Sequence, residues 1–202
     1  MRAKAFAQDE TSSTVGKAYG LYKQNWKILS CDSQQDATTD AAKNAIDENT
    51  STFWHSAWSP LKAQPHTISI DLGGVYPISG FGYTPRQDGS SSGTVFKYSI
   101  YMPTSATVWG NAVLTTQFDN IKNNPIQQIK SLPSVNTSQY FGFKSLSEVN
   151  SNGFSSAAEL DVFVKVANVP GISNQSFLVD PATSTPGSRI GIIAIDGNDS
   201  NT

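Results

Sequence analysis

One short stretch of the chain, STFWHSAW at positions 51–58, concentrates side chains that could do chemistry. It holds two of the four tryptophans and one of the two histidines in a chain of 202 residues. Histidine is a common general base, and a flat indole ring is a common contact surface for a ligand. The stretch could therefore belong to a catalytic site, to the hydrophobic core or to a ligand-binding surface.

The rest of the sequence gives no support for catalysis. It contains no GxSxG nucleophile elbow, no HExxH zinc motif, no Walker loop and no Cys–His metal cluster. Glycosidase chemistry needs two carboxylates that flank a cleft, whereas the 16 acidic residues are scattered along the chain. We therefore expect a binding module and no enzyme, with any catalysis located in a parent protein before Met1 or beyond Thr202.

Composition and charge exclude several other classes of protein. With 38% hydrophobic and 15% charged residues, 15 glycines and 10 prolines, the chain has the balance of an extracellular β-rich protein. A formal net charge of −2 argues against nucleic acid as a partner, because its binders need a basic face. No apolar run approaches the ~20 residues of a transmembrane helix, and the first ten residues lack the apolar core of a signal peptide. The single cysteine, Cys31, excludes an internal disulfide, but a bound metal ion could stabilise the fold instead.

Strand signals dominate the middle of the chain. Alternating or apolar runs bounded by Gly, Pro, Asn or Ser recur there, among them TISIDLG, FKYSIYM, QYFGFKSL and AELDVFVKV. Only TTDAAKNAID looks helical. Many short strands with regular turn signals predict a β-sandwich or barrel, since an α/β fold would need helical stretches of about 10–15 residues between strands.

The two ends of the chain differ from the middle. Residues 1–24, with the alternating runs RAKAFA and VGKAYGLY, are interpreted as the end of a preceding β domain or a linker. Residues 168–202 begin like a linker at Pro170 and Gly171 and continue with two strand-like runs, QSFLVD and SRIGIIAID. We therefore expect one complete domain at 25–167 and the truncated start of another at 168–202.

The middle domain resembles a known family. Six motifs follow in register over about residues 25–165: NWKILS, NAIDENTSTFWHSAW, PHTISIDLG, ISGFGYTPRQDG, YSIYM with a later WG, and GFSSAAELDVF. Together they resemble the discoidin domain, the C-type domain of coagulation factors, and more closely the family 32 carbohydrate-binding modules of bacterial glycoside hydrolases. The resemblance implies an all-β protein with an eight-stranded jelly-roll (discoidin-like) β-sandwich.

The flanks resemble other domains more weakly. The N-terminal segment is similar to the end of the small β domain that precedes such modules in hexosaminidases and fucosidases. The segment QSFLVDPATSTPGSRIGIIAIDGND resembles the start of a cadherin-like domain. A second discoidin copy is the rival interpretation, because AID with an Asn two residues on occurs at 45–49 and again at 194–198.

The resemblance implies a structural Ca²⁺ site around NAIDENTST. Hard cations take six to eight oxygen ligands, and a tight loop supplies backbone carbonyls that sheets do not consume. Carried over by position, the ligands are the carbonyls of Asn44, Asn49 and Ala158, the carbonyl and hydroxyl of Thr52, and the carboxylates of Asp47 and Glu159. The alternative is that Asp47 and Asn49 only form an Asx turn and that Glu159 is a solvated strand residue.

The resemblance also implies a sugar site. In galactose-binding relatives a His-x-x-Trp pair, an Arg about thirty residues later and an aromatic near the last strand form the site, and here these are His55, Trp58, Arg86 and Phe154. An aromatic ring suits the apolar face of a pyranose, Arg presents a rigid fork of donors, and a neutral His can bond one hydroxyl. Trp54, adjacent to His55 in an extended segment, is expected to point to the opposite side, into the core. The alternative is ordinary packing for His55, Trp58 and Phe154, and a surface ion pair for Arg86.

One position departs from the galactose pattern. Five residues after Arg86 those relatives have Asn, whereas this chain has Ser91, which reaches less far and offers one hydroxyl. Asp88 or Gln87 could compensate. His66 precedes a predicted strand and is expected to lie outside the site.

These features predict a calcium-stabilised, non-catalytic module that targets a multimodular secreted glycoside hydrolase, fucosidase- or hexosaminidase-like, to glycans. Galactose, GalNAc, fucose and GlcNAc are the candidate sugars. We expect a monomeric module in an extracellular, cell-surface or periplasmic protein. The alternative is a structural spacer or protein-docking module whose sugar site has decayed. A membrane partner is not expected, because loops such as DGSSSG lack paired apolar tips.

Overall fold

The structure, a computed structural model, describes residues 18–119, 121–122, 124–165, 177–179 and 192–194. One 3₁₀ helix, Ala42–Ile46, lies within the segment that the sequence marks as helical. The strands are β1 (Ala18–Gly20), β2 (Lys27–Cys31), β3 (Trp54–His55), β4 (His66–Thr84), β5 (Val95–Tyr101), β6 (Leu114–Gln117), β7 (Gln128–Glu148), β8 (Ser156–Ala157), β9 (Glu159–Lys165), β10 (Phe177–Val179) and β11 (Ile192–Ala194). The all-β prediction is confirmed.

Two long strands, β4 and β7, each run through both layers of the sandwich. The first half of β4 pairs with β2 on one side and with the second half of β7 on the other, and β5 and β6 extend this layer. The second half of β4 pairs with the first half of β7 and with β9, which in turn pairs with β1. Because both strands continue from one layer into the next, the two layers form one antiparallel β-sandwich.

A glycine permits the change of layer in β4. The pairing of β4 with β7 shifts register between Asp71 and Tyr76, and Gly73 lies in this gap with φ 75°. A Cβ at Gly73 would also lie 2.9 Å from the Cβ of Asn25. Only glycine meets both the left-handed backbone and the close approach without strain.

Aromatic rings fill the space between the layers. Phe81, Tyr83, Tyr98, Phe118 and Phe143 are all fully buried. The rings of Tyr98 and Phe118 lie 4.2 Å apart, and those of Tyr83 and Phe118 lie 5.0 Å apart. Burial of each large apolar side chain stabilises the fold by about 1.5–3 kcal/mol. The alternation in TISIDLG has the predicted result, because the three apolar residues of this segment are buried: Ile68, Ile70 and Leu72.

A short strand pair brings distant motifs together at one end of the sandwich. β3 pairs with β8, which places Trp54 opposite Ala157 and His55 opposite Ser156. Trp54 is fully buried, and its indole N–H donates to the carbonyl of Ser33 at 2.8 Å. The prediction that Trp54 belongs to the core is confirmed, and STFWHSAW lies directly against GFSSAAE.

The sandwich extends beyond the predicted N-terminal boundary. β1 pairs with β9, and Leu21 belongs to the hydrophobic core. Residues 18–24, which the sequence assigns to a preceding domain or linker, therefore pack on this sandwich, because they supply an edge strand and a core side chain. Residues 1–17 lie outside the described part of the chain.

The structure describes only part of the C-terminal segment for which the sequence makes predictions. β10 and β11 fall within the two predicted strand-like runs and pair antiparallel with each other. The other residues on which the cadherin-like and second-copy interpretations depend lie outside the described segments. Within those segments, no helix has the length and apolar character needed to cross a bilayer.

Candidate functional site

Three aromatic rings meet at the end of the sandwich where β3 and β8 pair. The ring of His55 lies 4.9 Å from that of Trp58, edge to face, and 5.6 Å from that of Phe154. The structure thus assembles three of the predicted site residues from two segments about a hundred positions apart. Trp58 is 45% exposed and Phe154 is half-buried, so both rings can reach a ligand.

His55 is less accessible than the sequence predicts. Because Trp54 beside it points into the core, alternation predicts that His55 faces outward with Trp58, but His55 is only 2% exposed. The rings of Trp58 and Phe154 pack against it, and its backbone is fixed in the β3–β8 pair. His55 therefore supports the two rings and offers only part of its own edge to a ligand.

The hydrogen bonds of His55 define its protonation state. Nδ1 lies 2.8 Å from the carbonyl of Ser56, which can only accept, so Nδ1 carries the hydrogen. Burial lowers the pKa of His55, and the positive charge of Arg86 lowers this pKa further, against the raising effect of the Ser56 hydrogen bond. The ring is therefore neutral at pH 7. Its Nε2, 3.4 Å from the hydroxyl of Ser92, can accept a hydrogen bond.

Gln35, which no sequence motif marks, holds Trp58 in position. The Oε1 of Gln35 accepts from the backbone N–H groups of Trp58 at 2.7 Å and Ser59 at 2.9 Å. The backbone N–H of Gln35 donates to the carbonyl of His55 at 2.9 Å. These bonds fix the turn that carries Trp58. No local pattern identifies Gln35, because its partners lie at least twenty residues away.

Arg86 is held rigidly beside the aromatic rings. Its guanidinium lies 4.1 Å from the centre of the Phe53 ring. Nε donates to Asp88 Oδ1 at 2.8 Å, and Nη2 contacts Asp88 Oδ2, so the pair is bidentate. These bonds from Arg86 lower the pKa of the Asp88 carboxyl. The ion pair that was the alternative for Arg86 is therefore present, through Nε and Nη2. Nη1 has no hydrogen-bond partner among the described residues, so Arg86 can still donate to a ligand.

The loop that carries Ser91 has an amide close to it. The Nδ2 of Asn150 donates to Ser91 Oγ at 3.1 Å and to Ser91 O at 3.2 Å. Asp88 shapes the same loop by accepting the N–H of Ser90 at 3.1 Å. Gln87 does not compensate for Ser91, because its amide donates to the carbonyls of Pro85 and Pro125. The amide beside Ser91 comes from a distant residue, Asn150, and not from its neighbours in the sequence.

Hydrogen bonds hold three consecutive residues of the segment that carries Phe154. Nε2 of Gln64 donates to the carbonyl of Phe154 at 2.7 Å, and Nε2 of His66 lies 3.1 Å from the carbonyl of Gly153. The backbone N–H of Ser155 donates to the hydroxyl of Ser56 at 2.9 Å. His66, which the sequence places outside the site, does not touch the exposed surface, but it lies directly behind a site residue.

The predicted calcium loop is closed by its own hydrogen bonds. Asp47 Oδ1 accepts the N–H of Asn49 at 2.9 Å, and Asp47 Oδ2 accepts the hydroxyl of Thr52 at 2.7 Å. The carbonyl of Asn49 also accepts from Thr52 at 2.8 Å. The Asx turn named as the alternative is thus present. It holds the Asp47 carboxylate, the Asn49 carbonyl and the Thr52 hydroxyl, three of the predicted ligand groups, in one place.

Glu159 is buried and not solvated. It is 4% exposed, its Oε2 pairs with Lys23, and its Oε1 has no hydrogen-bond partner in the described part of the chain. Burial raises the pKa of Glu159 to about 7, and although Lys23 lowers this pKa, the negative charges of Asp161 and Asp47 raise it. A buried carboxylate oxygen without a partner, near a second carboxylate, is an arrangement that a hard cation fits. The described residues contain no group of three or more His, Cys, Asp or Glu side chains that could hold a metal ion, so a cation here would need carbonyl ligands.

The sequence matches a defined family and several known proteins. The F5/8 type C domain family matches residues 28–160. A sialidase from Micromonospora viridifaciens is 36% identical over 155 residues, which cover 75% of this chain and 23% of the sialidase. The chain thus spans about a quarter of the length of that curated relative.

Solved structures show the same fold. CpGH89CBM32-5 from Clostridium perfringens, in complex with GalNAc-β-1,3-galactose, is 28% identical with a TM-score of 0.63, and the match covers 72% of this chain and 99% of that one. The family 32 module of C. perfringens NanJ, in complex with galactose, is 25% identical with a TM-score of 0.62, over 73% of this chain and 99% of that one. The antiparallel sandwich and a family match over more than half of the chain lead to the same assignment. This chain belongs to the F5/8 type C (discoidin) domain family, and its structural neighbours are family 32 carbohydrate-binding modules of bacterial glycoside hydrolases.

Proposed function

We propose that the surface formed by Trp58, Phe154, Arg86 and the edge of His55 binds a galactose-type sugar. The main support is the position of Trp58, which stays 45% exposed while its backbone is fixed by Gln35 and its ring packs on a buried, neutral His55. A rigid, exposed indole offers the C–H face of a pyranose a large contact area at a low entropic cost.

Polar groups around this ring would select the hydroxyls. Arg86 is already held by Asp88 and Phe53, so little conformational entropy is lost when its remaining N–H groups donate to a ligand. The Nε2 of His55 would accept from one hydroxyl. No proton transfer is needed, so the proposed site binds sugar without acting on it.

Galactose and GalNAc are the first candidates, because the two structural neighbours were solved with ligands that contain these sugars. Ser91 in place of the Asn of the galactose pattern keeps fucose and GlcNAc open as candidates. The proposed biological role is that of a monomeric accessory module. It would hold a larger secreted glycoside hydrolase on glycans outside the cell.

We also propose a structural Ca²⁺ ion in the loop next to this surface. The ligands would be Asp47, Glu159 and Thr52, with the carbonyls of Asn44, Asn49 and Ala158. The support is the preformed Asp47 turn and the Glu159 oxygen, which no described residue contacts by a hydrogen bond. The ion would neutralise two carboxylates and stabilise the start of the STFWHSAW segment, with no part in a reaction.

The proposal is tested by calorimetric titration with galactose, GalNAc, fucose and GlcNAc, followed by a glycan array. One sugar on a shallow surface should bind with a Kd of roughly 0.1–1 mM, about −5 kcal/mol. Arg86→Ala should abolish the signal, while the exposed, remote substitution Val135→Ala should leave it unchanged. A folded wild type that binds no sugar or arrayed glycan would rule the proposal out.

A second candidate is a spacer or protein-docking module with a decayed sugar site. Two observations favour it: the Arg86 fork is partly occupied by Asp88, and Ser91 is held by Asn150. It predicts a well-folded domain with no glycan signal and a protein partner that binds through this same face. Surface plasmon resonance with that isolated partner, with and without competing galactose, would distinguish the two candidates.

A further inference from the structure

His66 lies behind the ring cluster and contacts two acceptors. It is fully buried at the start of β4. Its Nδ1 lies 3.3 Å from Asp32 Oδ2, and its Nε2 lies 3.1 Å from the carbonyl of Gly153. A carboxylate and a carbonyl can only accept hydrogen bonds, so both ring nitrogens must donate. Only the protonated imidazolium has two N–H groups.

A charged acceptor lies beside His66. Asp32 is the carboxylate that faces it, and Asp32 also accepts the N–H of Thr67 and pairs with the half-exposed Lys62, 3.2 Å away. His55, the other histidine near this position, is neutral, and Arg86 lies near enough to His55 to lower its pKa. A buried cation needs a close counter-ion, and Asp32 supplies it.

The acceptor on the other side of His66 belongs to a loop that needs external support. Ser151 has a φ angle of 62°, in the left-handed region that only glycine adopts without strain, and Gly153 follows with a φ of 79°. A non-glycine residue keeps this conformation only where surrounding contacts hold it. The contacts come from Glu148 at the start, whose carboxylate accepts the N–H groups of Asn150 and Asn152, and from Gln64 and His66 at the end. Phe154 follows Gly153 directly, so its ring position depends on this end.

We propose that His66 acts as an imidazolium that positions Phe154, and that the site loses sugar affinity when His66 loses its proton. The neutral ring can donate from only one nitrogen, so one lone pair then faces either Asp32 or the Gly153 carbonyl. The remaining N–H stays on the charged acceptor, Asp32, so the lone pair faces the Gly153 carbonyl and that hydrogen bond is lost. The affinity therefore falls as the pH rises. The statement on sugar affinity rests on the proposed function, whereas the statement on Phe154 does not.

Nuclear magnetic resonance of the ligand-free protein tests the statement on Phe154. The chain has only two histidines, so long-range ¹H–¹⁵N spectra show two rings, which a His66→Gln variant assigns. At about pH 5.5 both ring nitrogens of His66 should have imidazolium shifts. As the pH rises and the ring is deprotonated, the chemical shifts of the backbone amides of Gly153 and Phe154 should change in parallel with those of the ring. A His66 ring that is neutral at about pH 5.5, or amides that do not follow it, would overturn the proposal.

Calorimetry with galactose and GalNAc at about pH 5.5 and 8.5 tests the statement on affinity. The loss of one hydrogen bond predicts binding about three- to tenfold weaker at the higher pH. His66→Gln should remove this pH dependence. The matched control Gln64→Ala removes the neighbouring bond to the Phe154 carbonyl, and it should weaken binding by a similar factor at both pH values while the pH dependence persists.

The outcomes separate the two proposals. Equal affinity at both pH values, or a pH dependence that persists in His66→Gln and so belongs to His55, would contradict the role of His66. If the wild type binds no sugar at either pH while the Phe154 amide follows His66, the proposed function fails and the positioning role stands.

Discussion

Asn150 donates to both oxygens of Ser91, at 3.1 Å to the hydroxyl and 3.2 Å to the carbonyl. The two residues are 59 positions apart, and the fold brings them together because the end of β7 lies beside the loop that precedes β5. The position where galactose-binding relatives have an amide therefore has a serine with an amide bonded to it. This amide fixes the loop that follows Arg86.

We expect Asn150→Ala to weaken sugar binding about five- to tenfold. Each lost hydrogen bond contributes about 1 kcal/mol, and the freed loop must be ordered again by the ligand. Titration calorimetry measures the change. Asn150→Asp is the matched control, since it keeps the size of the side chain but has no amide N–H groups to donate. If Asn150→Asp binds sugar as tightly as the wild type, the amide has no role in the site.

The two tryptophans of STFWHSAW should have opposite phenotypes. Trp58→Ala should abolish detectable sugar binding with little loss of stability, because the ring is 45% exposed. Trp54→Ala should destabilise the fold by about 3–5 kcal/mol, since it leaves a cavity in the core. Urea denaturation and calorimetry on both variants measure these effects. Full sugar binding by Trp58→Ala would place the ligand elsewhere.

Removal of calcium should lower the melting temperature. An ion present at about 100 times its Kd stabilises the folded state by about 2.7 kcal/mol, which corresponds to a shift of about 5–10 °C in a domain of this size. Thermal unfolding with EDTA, then with added Ca²⁺, measures the shift. Asp47→Asn should melt lower and be insensitive to EDTA, while the exposed substitution Asp119→Asn should behave like the wild type. No shift with EDTA, together with no calcium by elemental analysis, would exclude the ion.

Asp32 should contribute to stability in a defined acid range. Burial raises the pKa of Asp32, but hydrogen bonds from His66, Thr67 and Lys62 outweigh this effect and lower the pKa from 3.8 to about 2. A depressed pKa in the folded state stabilises the protein above the unfolded value near 4, and this stability is lost as the pH falls towards 2. The contribution is about 2 kcal/mol.

Urea denaturation of the wild type and Asp32→Asn between about pH 6 and 2 measures this contribution. The difference in unfolding free energy between the two proteins should shrink by about 2 kcal/mol over this range, because the other acids are common to both. A difference that stays constant would show that the Asp32 contacts do not depend on its charge.

The amino-acid sequence alone was enough to predict the fold class and the family. Alternation in TISIDLG requires one face of that strand to be buried, and the six motifs occur in the order of the discoidin family. It also identified Trp54 as core and selected three residues whose rings do meet in space, His55, Trp58 and Phe154. These features depend on local patterns or on motif order, which a sequence displays directly.

The support of the site depends on tertiary contacts. Gln35, Asn150 and His66 act on partners 23, 59 and 87 positions away, so no local pattern marks them. Burial also depends on the complete packing, which is why His55 lies beneath the rings when the alternation alone predicts that it faces outward. A hydrogen bond needs both partners within about 3 Å, and long strands that turn between two layers place those partners where the sequence alone does not specify.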